Sequence, residues 1–116
     1  MTSASLIKSH AYIDGAWTGT PTFPVLNKAT GAEITKVPEC GAAETRTAIE
    51  AAHRAMGPWS KRTAKERSII LRKWFDLIVA HADELALILT SEQGKPLAEA
   101  KGEILYGASF VEFFAE

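Results

Sequence analysis

Cysteine and long apolar runs are both scarce in this sequence. Cys40 is the single cysteine, so no disulfide can form within the chain. This usage is typical of reducing compartments, and residues 1–11 lack the long apolar run of a signal peptide. The most apolar stretch, from Leu85 to Leu89, is too short to cross a bilayer. We therefore expect a soluble, cytoplasmic protein with no membrane partner.

An excess of one charge is missing as well. The 13 lysines and arginines face 14 acidic residues, and the net charge of −1 gives no overall attraction for nucleic acid. Glu99 and Glu103 lie one helical turn apart among lysines, as on a solvated helix face. A group of basic residues on either side of Glu66, close to Asp76, is also interpreted as a solvated helix face. Its members are Lys61, Arg62, Lys65, Arg67, Arg72 and Lys73.

Side chains for catalysis or metal binding are few. Cys40 precedes a predicted helix, which would stabilise a thiolate, but the neighbouring Glu39 opposes thiolate formation and no histidine is near in sequence. His10, His53 and His81 lie on three separate segments, without the spacing of metal ligands. The residues by themselves therefore predict no catalytic group.

Phosphate-binding loops are also lacking. Gly94-Lys95 resembles the end of a P-loop, but Leu89 stands where that loop needs glycine, and Pro96 where it needs serine or threonine. No G-x-G-x-x-G sequence occurs. Gly94 is better explained as the end of one helix and Pro96 as the first position of the next. No cofactor-binding residue is predicted.

What the chain does contain is a globular composition and a strand-like first third. Its 116 residues are 47% apolar and 23% charged, enough for one domain with a hydrophobic core. Residues 1–41 are predicted as strands and turns. Asp14-Gly15 predicts a hairpin turn, the segment 27–31 predicts a second turn, and Pro38 and Gly41 end this part. The predicted strands are 11–13, 16–18, 23–26 and 33–37.

Residues 42–116 show a helical period instead. We predict a first helix from Ala43 to about Met56, ended by Gly57-Pro58, and a second that begins at a capping box of Thr63 and Glu66. A third helix covers 83–93 and a fourth runs from about 97 to the last residue. The apolar stripe of the second helix comprises Ile70, Leu71, Trp74, Leu77 and Ile78. The apolar line of the fourth comprises Leu97, Ala100, Ile104, Ala108, Val111 and Ala115.

Several motifs, in this order, resemble the N-terminal segment of the aldehyde dehydrogenase superfamily. The residues 12–17 resemble its opening hairpin, and 27–31 are similar to its Asn-Pro-Ala-Thr-Gly turn, with Lys28 in place of the proline. The segment 63–74 resembles its second helix. The segment 92–104, from Glu92 to Ile104, resembles the signature of the succinate-semialdehyde dehydrogenase branch. The implied fold is α/β, with this chain as the N-terminal part of the NAD(P)-binding domain.

The resemblance also implies a reaction. In that family a cysteine thiolate attacks an aldehyde, hydride passes to NAD or NADP, and a glutamate-activated water releases the carboxylate. Succinate semialdehyde is the expected substrate. These groups lie beyond residue 116 in family members, and Cys40 does not match the catalytic cysteine. We therefore expect this chain alone to be inactive and to bind no cofactor, and no catalytic residue is assigned.

Two further roles follow from the resemblance alone. It implies a monovalent cation site formed by the backbone carbonyl of Leu26 and the carboxylate of Glu92. It also implies that Tyr106 and Phe110 border the substrate funnel. The expected partners are the remainder of a dehydrogenase chain and, as an option, further copies in a homo-oligomer.

The final helix has no stop signal, so we expect a piece of a longer chain that is marginally stable or self-associating by itself. Two alternatives stay open beside the enzyme segment. One is a non-catalytic helical interaction module, and the other is an inert truncated product.

Overall fold

A computed structural model describes residues 6–116. The strands are β1 (Ala11–Ile13), β2 (Ala16–Thr18), β3 (Pro21–Leu26) and β4 (Glu33–Pro38). The helices are α1 (Ala42–Lys61), α2 (Ala64–Ala80), α3 (Ala82–Gln93) and α4 (Leu97–Ala115). The predicted α/β class, with a strand-rich start and four helices, is confirmed. Residues 1–5, part of the segment examined for a signal peptide, lie outside the described residues.

The strands form two separate antiparallel hairpins. Asp14 (φ 53°) and Gly15 (φ 78°) make the predicted turn between β1 and β2, because both residue types tolerate a left-handed backbone. Tyr12 pairs with Trp17 across this hairpin, and their ring centroids are 4.9 Å apart. β3 pairs with β4, with shifts of register near each end. The observed strands β3 and β4 extend the predicted ones to Pro21 and Pro38.

The helix ends follow local hydrogen-bonding chemistry. The predicted capping box is present at α2, where Glu66 N donates to Thr63 Oγ1 at 3.1 Å and Thr63 N donates to Glu66 Oε2 at 2.8 Å. Gly94 ends α3 in the left-handed conformation, with φ of 86°, as predicted. Pro96 lies one residue outside α4, not at its first position, because its ψ of 138° is extended.

The predicted end of α1 is wrong. Gly57-Pro58 does not stop the helix, which continues to Lys61. Proline removes one hydrogen bond, but four others hold the last turn. Ser60 Oγ donates to Gly57 O at 2.9 Å, Arg62 N donates to Trp59 O at 3.1 Å, and Arg67 of α2 donates to the carbonyls of Ser60 and Arg62.

The core is smaller than the composition led us to expect. The buried residues among 6–116 are all alanines of α3 and α4, and no large side chain there is fully buried. They are Ala82, Ala86, Ala100, Ala108 and Ala115. Three of them belong to the predicted apolar line of α4. Because alanine side chains are small, each of these positions contributes little apolar area to the core.

The predicted stripe of α2 is only partly covered. Leu71 and Ile78 are half-buried together with Phe75, whereas Ile70, Trp74 and Leu77 are exposed. The two groups lie on adjacent helical lines, and only the line through Leu71 packs inward.

The exposed surface is large for the size of the chain. The accessible area is 8332 Å², against about 6,200 Å² for a monomer of 12.6 kDa. The radius of gyration is 16.4 Å, against about 13 Å for a compact domain of this length. No helix within residues 6–116 has the length and apolarity needed to cross a membrane.

Candidate functional site

The two residues expected to bind a cation lie on neighbouring segments. Leu26 ends β3, and Glu92 lies in the last turn of α3. The Lys28 amide, two residues after Leu26, donates to the carbonyl of Ser91, just before Glu92, at 3.0 Å. This bond joins backbones far apart in the sequence, so the sequence analysis had no pattern from which to predict it.

The end of α3 favours a cation electrostatically. The last turn contains the half-buried Glu92 and no basic residue, and helix C-termini carry partial negative charge. The hydroxyl of Thr90, in the same turn, is buried without a hydrogen-bond partner within the described residues. Carboxylate and carbonyl oxygens are suitable ligands for hard cations. No group of three or more histidine, cysteine and acidic side chains that could hold a metal occurs within residues 6–116.

Tyr106 and Phe110 form an aromatic pair on α4. Their ring centroids are 5.0 Å apart and the rings are nearly perpendicular, at 89°. Both are exposed, Tyr106 at 67% and Phe110 at 50%. A shallow groove of about 410 Å³ next to this pair is lined by Phe110, Ser109, Phe113 and Phe114. The pair is therefore an accessible aromatic surface, suited to line an apolar passage.

The charged residues around α4 make ion pairs. Lys95 donates to the carboxylate of Glu103, and this hydrogen bond and charge raise the pKa of Lys95. Lys101 binds Asp83 at 2.8 Å, which connects α4 to the start of α3. Glu103 and the two lysines thus have structural partners rather than the geometry of an acid/base pair.

Cys40 and the histidines do not come together. Cys40 is exposed, one residue before the N-cap of α1. His10 is exposed immediately before β1, and His53 is exposed on α1. His81 joins α2 to α3, and its Nδ1 lies 3.8 Å from the carboxylate of Glu84.

The basic group of α1 and α2 includes two structural arginines. Arg67 binds the final carbonyls of α1, as described above. Arg72 lies 3.6 Å from Asp76 and from Glu112, with its guanidinium 5.0 Å from the centre of the Phe75 ring. Sequence spacing predicted a charged helix surface here but not the role of Arg67.

The N-termini of the helices carry acidic side chains, which repel phosphate groups. Within the described chain, every helix has an acidic residue in its first turn: Glu44 in α1, Glu66 in α2, Asp83 and Glu84 in α3, and Glu99 in α4. At α1 and α2 the carboxylate already accepts a backbone N–H. A phosphate placed there would meet both an occupied donor and a like charge.

The sequence is similar to a known protein family and to several of its members. The profile of the aldehyde dehydrogenase family matches residues 17–116. Glutarate-semialdehyde dehydrogenase of Pseudomonas aeruginosa is 56% identical over 116 residues, covering 97% of this chain. An NADP-dependent succinate-semialdehyde dehydrogenase of Escherichia coli is 50% identical and covers 100% of the chain. A 3-sulfolactaldehyde dehydrogenase of Pseudomonas putida is 51% identical over 97% of the chain.

Solved structures give the same result. An aldehyde dehydrogenase of Brucella melitensis superposes with a TM-score of 0.90 at 52% identity over 97% of this chain. A betaine aldehyde dehydrogenase of Staphylococcus aureus, solved with NAD+, superposes with a TM-score of 0.85 at 30% identity. The chain spans about a quarter of the length of these relatives: 24% of the P. aeruginosa enzyme and of the B. melitensis structure, and 25% of the E. coli enzyme. On the family profile and the relatives together, the chain belongs to the aldehyde dehydrogenase family.

Proposed function

We propose that this chain supplies the N-terminal segment of an NAD(P)-dependent dehydrogenase that oxidises a semialdehyde to the carboxylate. The observation that carries the proposal is the 56% identity to a glutarate-semialdehyde dehydrogenase across 97% of the chain. Homologous chains at this identity share a fold, and the TM-score of 0.90 to a family structure agrees with that. The segment is the N-terminal part of the dinucleotide-binding domain, and the remaining chain is its main partner.

The proposed substrate carries an anionic group besides its aldehyde. Three relatives are named for glutarate semialdehyde, succinate semialdehyde and 3-sulfolactaldehyde, and each of these molecules has that property. Succinate semialdehyde remains our specific candidate. Tyr106 and Phe110 are exposed on α4, and they would form an apolar wall along which the carbon chain of the substrate passes.

The cofactor, NAD or NADP, accepts hydride when bound and is held by the rest of the enzyme. The acidic first turns of all four described helices support this division. The chain alone is accordingly inactive and binds no dinucleotide. Leu26 and Glu92 would hold a monovalent cation that steadies the hairpin against α3.

A cytoplasmic location and a homo-oligomeric state are part of the same proposal. The free, exposed thiol of Cys40 suits a reducing compartment. The large exposed surface supports association with the rest of the enzyme chain and with further copies of it.

A chimera tests the proposal. Residues 1–116 would replace the matching quarter of the E. coli relative, and reduction of NAD+ and NADP+ would be measured with succinate semialdehyde, glutarate semialdehyde and uncharged butanal. We expect activity within about tenfold of the parent, favouring the anionic aldehydes, and none for the 116-residue chain alone. A folded chimera without activity would sink the proposal.

Two variants of the chimera test the apolar wall. Tyr106→Ala and Phe110→Ala should lower kcat/KM by about tenfold, largely through KM, because each removes a contact along the passage. Met56→Ala is the matched control, since Met56 is equally exposed on α1, at 64%. An equal loss in all three variants would argue against a funnel role.

A helical interaction module is the second candidate. Large apolar side chains on α2 and α4 are exposed, including Trp74 at 56%, Phe113 at 72% and Phe114 at 71%. Such a patch suits contact with subunits of a complete dehydrogenase. Co-elution of the chain with the intact E. coli enzyme would support this function. If the chain does not co-elute and the chimera is also inactive, the chain is an inert truncated product.

A further inference from the structure

Gly102 is a glycine in the interior of α4 and is exposed. Glycine makes a helix interior less stable than alanine does, because its backbone loses more conformational freedom on folding. Apart from its chain neighbours and the backbone of its own helix, no atom of the described chain would lie within 4 Å of a Cβ placed on Gly102. Packing within residues 6–116 therefore gives no reason for a glycine at this position.

Gly102 begins a line of aromatic side chains along α4. Positions four apart lie on the same side of a helix, and this line continues with Tyr106, Phe110 and Phe114. Helix side chains lean toward the N-terminus, and the ring of Phe110 accordingly lies beside that of Tyr106, with centroids 5.0 Å apart. The same lean directs Tyr106 toward the turn that contains Gly102, which has no side chain for the ring to contact.

The empty space over Gly102 is a recess in a largely apolar surface. Its neighbours three and four positions away on the helix are Ala98, Glu99, Leu105 and Tyr106, of which only Glu99 is charged. Leu105 is 41% exposed and Tyr106 is 67% exposed, so both side chains stand out from the helix beside the glycine. Since a Cβ at position 102 meets no other side chain, the recess has room for at least one methyl group.

We propose that Gly102 is a specificity-determining position of the substrate wall formed by Tyr106 and Phe110, and that its recess accepts a methyl-sized branch on the carbon chain of the semialdehyde. The inference rests on the proposed function, which places the substrate along this wall. An apolar recess favours an alkyl branch over a hydroxyl group, because a hydroxyl placed there loses its hydrogen bonds to water. The substrate class accordingly includes alkyl-branched semialdehydes beside the unbranched ones.

Two glycine positions of α4 separate substrate fit from helix stability. Gly102→Val fills the recess, and Gly107→Val is the matched control. Gly107 is also exposed in the interior of α4, and a Cβ there is equally free of contacts. It lies about 140° around the helix axis from Gly102, away from the recess. Both variants would be made in the chimera with the E. coli relative.

Steady-state kinetics measures the fit with succinate semialdehyde and with its two analogues that carry one methyl group on either carbon between the aldehyde and the carboxylate. The wild-type chimera should oxidise at least one analogue with kcat/KM within about threefold of the unbranched substrate. Gly102→Val should lower kcat/KM for that analogue about tenfold more than for the unbranched substrate, because one methylene in an apolar pocket accounts for about 10- to 200-fold. Gly107→Val should change both by the same factor.

Two kinetic results would overturn the inference. One is an equal loss for branched and unbranched substrates in Gly102→Val. The other is a wild-type chimera that discriminates against both analogues by more than about tenfold.

Thermal unfolding of Gly102→Ala in the chimera, without substrate, decides what occupies the space over the glycine. If the substrate uses it, Tm should equal or exceed that of the wild type, because alanine favours the helix. A lower Tm would show that the remaining enzyme chain packs on Gly102, which would overturn the inference and leave the proposed function intact. A wild-type chimera that is inactive with all three aldehydes would overturn the proposed function, and this inference with it.

Discussion

Helix α1 and the pair α3–α4 are ordered in different ways. All buried side chains of the described residues belong to α3 and α4, whereas α1, with 20 residues, buries none. α1 is attached by polar side-chain contacts instead. The Arg54–Asp14 ion pair, at 2.8 Å, joins it to the first hairpin, and Arg67 of α2 holds its last carbonyls. One chain therefore contains a packed helix pair and a helix that depends on polar contacts.

Local order and burial are therefore separate properties of a helix. Capping and ion pairs decide where α1 begins and ends but contribute modestly to the free energy of folding. Exposed Ile49 and Met56, each at 64%, show that α1 has an apolar face without cover. The packing of both α2 and α3 on α4 makes up most of the contact between helices.

The largest expected effect concerns the uncovered faces. The isolated 116-residue chain should sediment above its monomer mass of 12.6 kDa and melt broadly, because several aromatic side chains of α2 and α4 are exposed. Phe113→Ser with Phe114→Ser should shift sedimentation toward the monomer. A sharply cooperative melt of a monomeric wild-type chain would contradict the prediction.

The second-largest effect on stability is expected from overpacking the pair α3–α4. Ala100 is 0% exposed, so Ala100→Leu should lower the free energy of unfolding by about 2–3 kcal/mol as α3 and α4 are pushed apart. Ala52→Leu, on the exposed face of α1, is the matched control and should change it by less than about 0.5 kcal/mol. Urea unfolding at one fixed chain concentration measures both. Equal effects would show that the two helices are packed alike.

Removal of the polar attachment of α1 should have an intermediate effect. Arg67→Ala leaves the carbonyls of Ser60 and Arg62 without their donor and should cost about 1–2 kcal/mol. Hydrogen exchange should show faster exchange at residues 58–62. Arg46→Ala, an exposed arginine of α1, should leave that segment unchanged. If both variants behave alike, Arg67 is not the attachment.

The smallest expected effect is the pH dependence of the stability contributed at the N-terminus of α1. Hydrogen bonds from its own amide and from Gly41, the latter at 2.8 Å, lower the pKa of Glu44 below its ordinary 4.5. A carboxyl with a lowered pKa stabilises the fold above the unfolded value and loses that contribution as pH falls through the folded value. The Tm difference between wild type and Glu44→Gln should therefore exist at pH 7 and vanish well below pH 4.5. A difference that persists at low pH would exclude the carboxylate as its cause.

Much of the local structure could be predicted from the sequence. Asp14-Gly15, the Thr63–Glu66 capping box and Gly94 act through backbone geometry and neighbouring donors, so their effects do not need the rest of the fold. The prediction at Gly57-Pro58 was wrong because the bonds that continue α1 include donors from Arg67 on another helix. A local rule cannot include a partner that only folding brings near.

The candidate site divides in the same way. Leu26, Glu92, Tyr106 and Phe110 came from the resemblance. The structure places β3, which ends at Leu26, in contact with α3, which carries Glu92, and it pairs the rings of Tyr106 and Phe110. The Lys28–Ser91 bond came from the structure alone.

Periodicity, caps and motifs are local or follow the order of the chain, so the sequence was enough to predict most elements, their order and the family. Tertiary structure alone decided which apolar line of α2 turns inward, how far α1 continues, and which backbone groups join the hairpin to α3. These depend on the distance between segments remote in the chain, and hydrogen bonds and packing act only over a few ångströms.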